Sequence, residues 1–166
     1  MSFFNHRRQF RDLSEQEILA LAISSEEDDA RIYRSYAEML RPDFPDSAAI
    51  FDNMAIEEDG HRKALISAHS MRFGTVIPLI RREHVAGFYA RRPVWLMKNL
   101  SLERIREQAA IMERDAERFY LEAAKRSTDA STRRLLGDLA AAEASHERRA
   151  IELTGDHLDD ETREEE

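Results

Sequence analysis

Two short strings in this chain nearly coincide. Residues 26–33 read EEDDARIY and residues 113–120 read ERDAERFY, both fitting Glu-x-Asp-x-x-Arg-(Ile/Phe)-Tyr. Some thirty residues beyond each copy lies a Glu-x-x-His: Glu58 with His61, then Glu143 with His146. The copies sit 87 residues apart and the Glu-x-x-His pairs 85 apart, as a duplicated helical hairpin requires. Residues three apart share a helix face, so each pair can aim a carboxylate and an imidazole at one point. Those donors suit iron. Four Glu and two His from four helices are the set with which a helical bundle holds two iron or manganese ions. In a chain with 33 Asp and Glu a lone Glu-x-x-His would carry little weight; the ordered repeat carries much more.

In this assignment Glu26 and Glu113 give one carboxylate to each ion, Glu58 and Glu143 bridge, and His61 and His146 take one terminal position each. Four ionised Glu carry about the charge that two divalent ions neutralise, so loading would relieve a costly buried cluster of like charges. Two iron ions are expected, with Mn2+ or Zn2+ as substitutes. The bland alternative is that Glu on a charged helix is solvated surface. Against it, Glu26 lies one turn from both Ala22 and Ala30, and Glu143 follows Leu136, Leu139 and Ala140. Carboxylates inside apolar stripes demand partners. A slight helix rotation would substitute Glu27 for Glu26, and Glu57 competes less well with Glu58 because the His spacing favours the latter. Glu117, one turn past Glu113, is a further ligand or neighbour of the ligands. Tyr33 and Tyr120, two turns beyond Glu26 and Glu113, can donate hydrogen bonds to the ligands or simply serve as core aromatics. His6, His69, His84 and His157 match no carboxylate pattern and are expected at the surface.

Four helices must position this set. Ser14 and Glu17 form a capping box, so the first helix begins there, with Ile18, Leu21, Ala22, Ile32, Tyr36 and Leu40 as its apolar stripe. Pro42 and Pro45 are expected to end it, and Asp46 or Ser47 to cap the second, which carries Ile50, Phe51, Met54, Leu65 and Ile66 and fades near Ser70. Ser101 is the next cap, opening a helix through Ile105, Ala109, Met112, Phe119 and Ala123. A polar turn at 126–129 leads to the last helix, with Leu135, Leu136, Leu139, Ala140 and Ile151, expected to stop at Thr154-Gly155. Short connections make each pair antiparallel, and the thirty residues from Met71 to Leu100 read as a crossover. Its Arg81-Arg82 and Arg91-Arg92-Pro-Val-Trp95 runs read as a structured connection, with an anionic membrane surface as the alternative partner. The acidic run from Asp156 to Glu166 reads as a helix extension or a disordered end.

At 166 residues the chain suits one domain, 1–166. Five Gly and four Pro are too few for a fold built on many tight turns, which leaves an all-α class. With no Cys there is no disulfide and no thiolate iron centre. A net charge of −8 argues against a nucleic-acid partner held by a broad basic surface. No signal-peptide pattern opens the chain and no run approaches the roughly 20 apolar residues of a membrane span, so a soluble, cytoplasmic chain is expected.

The Glu-x-x-His hairpin repeat resembles the rubrerythrin branch of the ferritin-like superfamily. More closely, EILALAISSEEDDARIY, RFGTVIPLIRREHV, RRPVWL and RRLLGDLAAAE resemble the membrane-bound ferritin family over residues 10 to 160. That resemblance implies a ferritin-like four-helix bundle of two antiparallel hairpins joined by a long crossover, with metal ligands at Glu26, Glu58, His61, Glu113, Glu143 and His146. It also implies a cytoplasmic domain that captures or senses Fe(II) for an iron exporter, attached to the membrane by a vacuolar-iron-transporter-type domain absent from these residues. The alternative is a di-iron ferroxidase or rubrerythrin-like peroxidase. Two departures weigh against a rubrerythrin-type peroxidase cycle: Ala116 stands where rubrerythrins have a further Glu, with Glu117 adjacent, and the Cys-bound iron module cannot exist here. A homodimer is expected, domain-swapped if the hairpins exchange, with Phe88, Tyr89 and Trp95 at its interface.

Overall fold

A computed structural model describes residues 7–87 and 100–161, with side chains followed to residue 149. Four helices dominate: α1 (Glu15–Leu40), α2 (Pro45–Phe73), α3 (Leu102–Arg126) and α4 (Ala130–Glu161). α1 packs along α2 and α3 along α4, and the two hairpins close into an all-α ferritin-like four-helix bundle.

Local chemistry sets most of the helix ends. Ser14 Oγ accepts the Glu17 backbone N–H while Glu17 Oε1 accepts that of Ser14, both at 3.2 Å. Such a cap contributes about 1 kcal/mol. Ser101 Oγ accepts the Arg104 N–H at 3.2 Å, and Asp129 Oδ2 accepts that of Thr132 at 2.8 Å at the start of α4.

Three expected ends differ. Pro45 opens α2 instead of closing α1, and the expected caps Asp46 and Ser47 lie inside the helix. A proline is well placed in a first turn, where its missing N–H has no partner to lose. α2 continues to Phe73 and ends at Gly74, whose φ of 88° favours glycine. α4 runs through Thr154-Gly155 to Glu161, since one Gly costs a helix only about 1 kcal/mol.

The crossover is fastened to α1. Ser24 Oγ donates to the Ile80 carbonyl at 2.5 Å, Arg81 pairs with Asp28 at 3.0 Å, and Arg82 pairs with Asp29 at 2.8 Å. Strand β1 (Arg8–Gln9) then pairs in parallel with β2 (Val85–Ala86). Arg81 and Arg82 therefore bind the bundle's own acids, as a structured connection would. Arg91, Arg92, Trp95 and the interface residues expected at Phe88 and Tyr89 lie outside the described residues.

Two apolar clusters fill the interior. One joins Leu13, Leu19, Leu21, Leu65, Phe119 and Leu136; the other joins Tyr36, Phe51, Met54, Ile105 and Met112. Along α1, α2 and α3 the repeated Glu and His fall between them. Among the described residues no helix is long and apolar enough to cross a membrane.

Candidate metal centre

The repeated carboxylates sit where solvent does not reach: Glu26, Glu58, Glu113 and Glu143 are each at most 2% exposed. Ionised groups so buried require a compensating charge. Their oxygens and the two imidazoles form two groups, Glu26–Glu58–His61–Glu143 and Glu58–Glu113–Glu143–His146, with the donor atoms of each within 4.8 Å of one another. Glu58 and Glu143 belong to both. Each helix supplies its share by spacing alone: Glu26 from α1, Glu58 and His61 from α2, Glu113 from α3, Glu143 and His146 from α4.

Both rings turn Nδ1 inward. His61 Nδ1 lies 3.4 Å from Glu143, 3.7 Å from Glu26 and 3.9 Å from Glu58. His146 Nδ1 lies 3.4 Å from Glu58, 3.5 Å from Glu113 and 3.9 Å from Glu143. The rings stack nearly parallel with centroids 6.0 Å apart.

Seven inward atoms have no hydrogen-bond partner: Glu26 Oε2, both oxygens of Glu58, His61 Nδ1, Glu113 Oε2, Glu143 Oε1 and His146 Nδ1. Orphaned buried polar atoms are rare and costly. Seven that converge from four helices have the donor chemistry and the charge that fit a pair of divalent metal ions.

The electrostatics agree. Burial, followed by the charges of Glu26 and Glu143, pushes the Glu58 carboxyl well above the usual range. Glu143 rises likewise through burial and then Glu113. For His146 burial opposes the charged form, but Glu113 and Glu57 outweigh it and raise the pKa.

Around this set stand two hydroxyls. Tyr33 of α1 donates to Glu113 of α3, and Tyr120 of α3 donates to Glu26 of α1. Each tyrosine thus serves the carboxylate of the other hairpin and not the one two turns before it. Burial, reinforced by Glu113, holds the Tyr33 hydroxyl well above its ordinary pKa, so it remains a donor.

The neighbouring acids separate clearly. Glu27 faces outward and pairs with Arg31 at 2.7 Å. Glu117 is half-buried and belongs to neither group. Glu57 is also outside both groups, but it takes a place that the ligand spacing did not anticipate. Its Oε2 is hydrogen-bonded to His146 Nε2, and its Oε1 accepts from Arg149 Nη1 at 3.0 Å. The adjacent Glu57-Glu58 pair was the one available signal, since two consecutive helix positions reach an inner and an outer shell.

Of the other histidines, His84 is exposed as expected, while His6 and the His157 side chain lie outside the described residues. His69 is a correction, because it is wholly buried. It lies one turn past the buried Leu65, bonds the Gly74 carbonyl through Nδ1 at 2.9 Å and packs on Phe73. The i, i+4 relation to Leu65 placed it on the inner face.

Two hairpins that bury two Glu/His groups and share two carboxylates between them define a ferritin-like carboxylate metal domain. Residues 17–154 match the family model described as Rubrerythrin, and the chain belongs to the rubrerythrin family. A hypothetical protein from Pyrococcus furiosus has a similar fold, with a TM-score of 0.67 and 23% identity over 86% of this chain and 89% of that one. A Thermotoga maritima protein described as a ferritin-like diiron-carboxylate protein is similar too, with a TM-score of 0.68 and 20% identity over 85% of this chain and 94% of the other. No curated protein matches.

Proposed function

We propose that the chain is a dinuclear iron oxidase that takes up Fe(II) as substrate and oxidises it with peroxide or oxygen. The convergence of seven unpartnered Glu and His atoms on one buried point carries this reading. Membership of the rubrerythrin family supports it, as does the diiron-carboxylate description of the Thermotoga maritima protein. When two Fe(II) are bound they supply two electrons, the number that turns one hydrogen peroxide and two protons into two waters.

The chain's own groups provide the setting. Glu26 and His61 would hold one position, Glu113 and His146 the other, with Glu58 and Glu143 between them. Tyr33 and Tyr120 fix Glu113 and Glu26 by hydrogen bonds. The apolar clusters on either side exclude bulk water, which strengthens each charge interaction. These 166 residues contain no Cys and so hold no thiolate centre that could return electrons. Oxidation of substrate iron does not need one, because each Fe(II) pair brings its own.

Capture of Fe(II) for an attached exporter was the leading expectation from the resemblance, and oxidation its alternative. The matched family and folds speak for iron chemistry and offer nothing specific to export, so oxidation is preferred. Stopped-flow mixing of Fe(II)-loaded protein with hydrogen peroxide tests it. Two Fe(II) oxidised per peroxide are expected, over repeated additions and faster than free iron. One slow round, with the iron then retained, would overturn the oxidase reading.

A further inference from the structure

The two halves of the site share a pattern but not an outer shell. His146 has its Nε2 tied to Glu57, and Glu57 is held in turn by Arg149. Shifted by the 85-residue repeat offset into the other hairpin, the positions that would do the same for His61 are Ala142 for Glu57 and Ala64 for Arg149. Neither alanine can. Among the described residues His61 has no hydrogen-bond partner on Nε2, and its side chain is 17% exposed against 2% for His146.

A carboxylate on the far nitrogen of a ligating histidine fixes the tautomer and the ring and makes the near nitrogen a better donor. Here the contact presents Nδ1 of His146 to Glu58, Glu113 and Glu143. The far nitrogen of His61 has no such brace among the described residues, and its ring stands at the more exposed side of the site. We infer that Glu57, braced by Arg149, is a positioning residue that makes the two metal positions unequal. The His146 position retains its ion, and the His61 position is the one that loads last and exchanges first. For an Fe(II)-oxidising site this makes the His61 side the door through which substrate iron passes, an inference that rests on the two-metal reading above.

Equilibrium titration of the metal-free protein with Co(II), followed by its visible absorbance, reads the two positions without any turnover. Two steps of unequal affinity are expected, and crystals grown with one equivalent of Co(II) should show the anomalous peak beside His146. Glu57→Gln should weaken the tighter step by about 10–100-fold and leave the weaker one unchanged. Ala142→Glu should tighten the weaker step by supplying His61 with the missing carboxylate, and it leaves every proposed ligand intact. Far-UV circular dichroism checks that both variants fold.

Two equal steps in the wild type, a first ion beside His61, or an equal loss at both steps in Glu57→Gln would each overturn the inference while leaving the two-metal site standing. No uptake of Co(II) at the six residues would overturn both.

Discussion

The hairpin α1–α2 and the hairpin α3–α4 are copies that have diverged at the positions just outside the repeated Glu and His. The first carries Asp29 three residues after Glu26, buried and paired with Arg82 of the crossover at 2.8 Å. The second has Ala116 at the equivalent place. The first also lends Glu57 to His146, whereas the second offers only Ala142 toward His61. The inner set is therefore nearly two-fold symmetric, and its support is not. Duplication can supply a symmetric group of ligands at once; unequal metal affinities need changes in the shell around them.

The largest effects separate the shared carboxylates from the private ones. Glu58→Ala or Glu143→Ala removes a group common to both positions and should abolish the metal pair. Glu26→Ala and Glu113→Ala should each leave one ion, beside His146 and His61 respectively. Metal analysis after dialysis decides it, and identical stoichiometry in all four variants would erase the distinction between shared and private ligands.

Next comes the Asp29–Arg82 pair. Arg82→Ala strands a buried carboxylate and should destabilise the fold by about 3–5 kcal/mol. Asp29→Ala combined with Arg82→Ala should recover part of that loss. Urea unfolding measures both, and an unchanged midpoint in the single variant would show that the crossover clamp is not structural.

Smaller changes are expected from the tyrosines. A hydrogen bond to a buried charged group contributes about 1.5–3 kcal/mol. Because the donors cross between hairpins, Tyr33→Phe should weaken the position beside His146, and Tyr120→Phe the position beside His61. Titration of the two variants with Co(II) would show the opposite assignment if each tyrosine served its own helix.

The pH dependence is the smallest effect. The carboxyls of Glu58 and Glu143 are raised in the fold, and so is the His146 imidazole. Each raised group binds protons more readily folded than unfolded, so the metal-free protein loses stability as pH climbs through the unfolded carboxylate range and on through the folded values. Between pH 5 and 8 its Tm should fall, by about 2–4 °C for each kcal/mol lost in a chain of this size. Metal binding expels those protons, so the loaded protein should show less of the fall. A metal-free Tm that rises over this range would contradict the assigned directions.

Much of this was legible in the sequence, for identifiable reasons. The Glu-x-x-His repeat encodes its own geometry, because three-residue spacing on a helix leaves little freedom. Ser14 and Ser101 announce helix starts through local hydrogen bonds that need no tertiary context. By contrast, Pro45 can close one helix or open the next, and only the packing of α2 decides. Likewise, Glu57 reaches His146 through the register of α2 against α4, which no single stretch of sequence carries. His69 lacked a carboxylate partner and so looked like surface, although its spacing from Leu65 put it inside.

Diffraction at the iron edge from crystals grown anaerobically with excess Fe(II) tests the metal pair most directly. Two anomalous peaks about 3.5–4 Å apart are expected between Glu58 and Glu143, one beside His61 and the other beside His146. Peaks only on acids outside the two groups, such as Glu27 or Glu117, or none at all, would contradict the two-iron site.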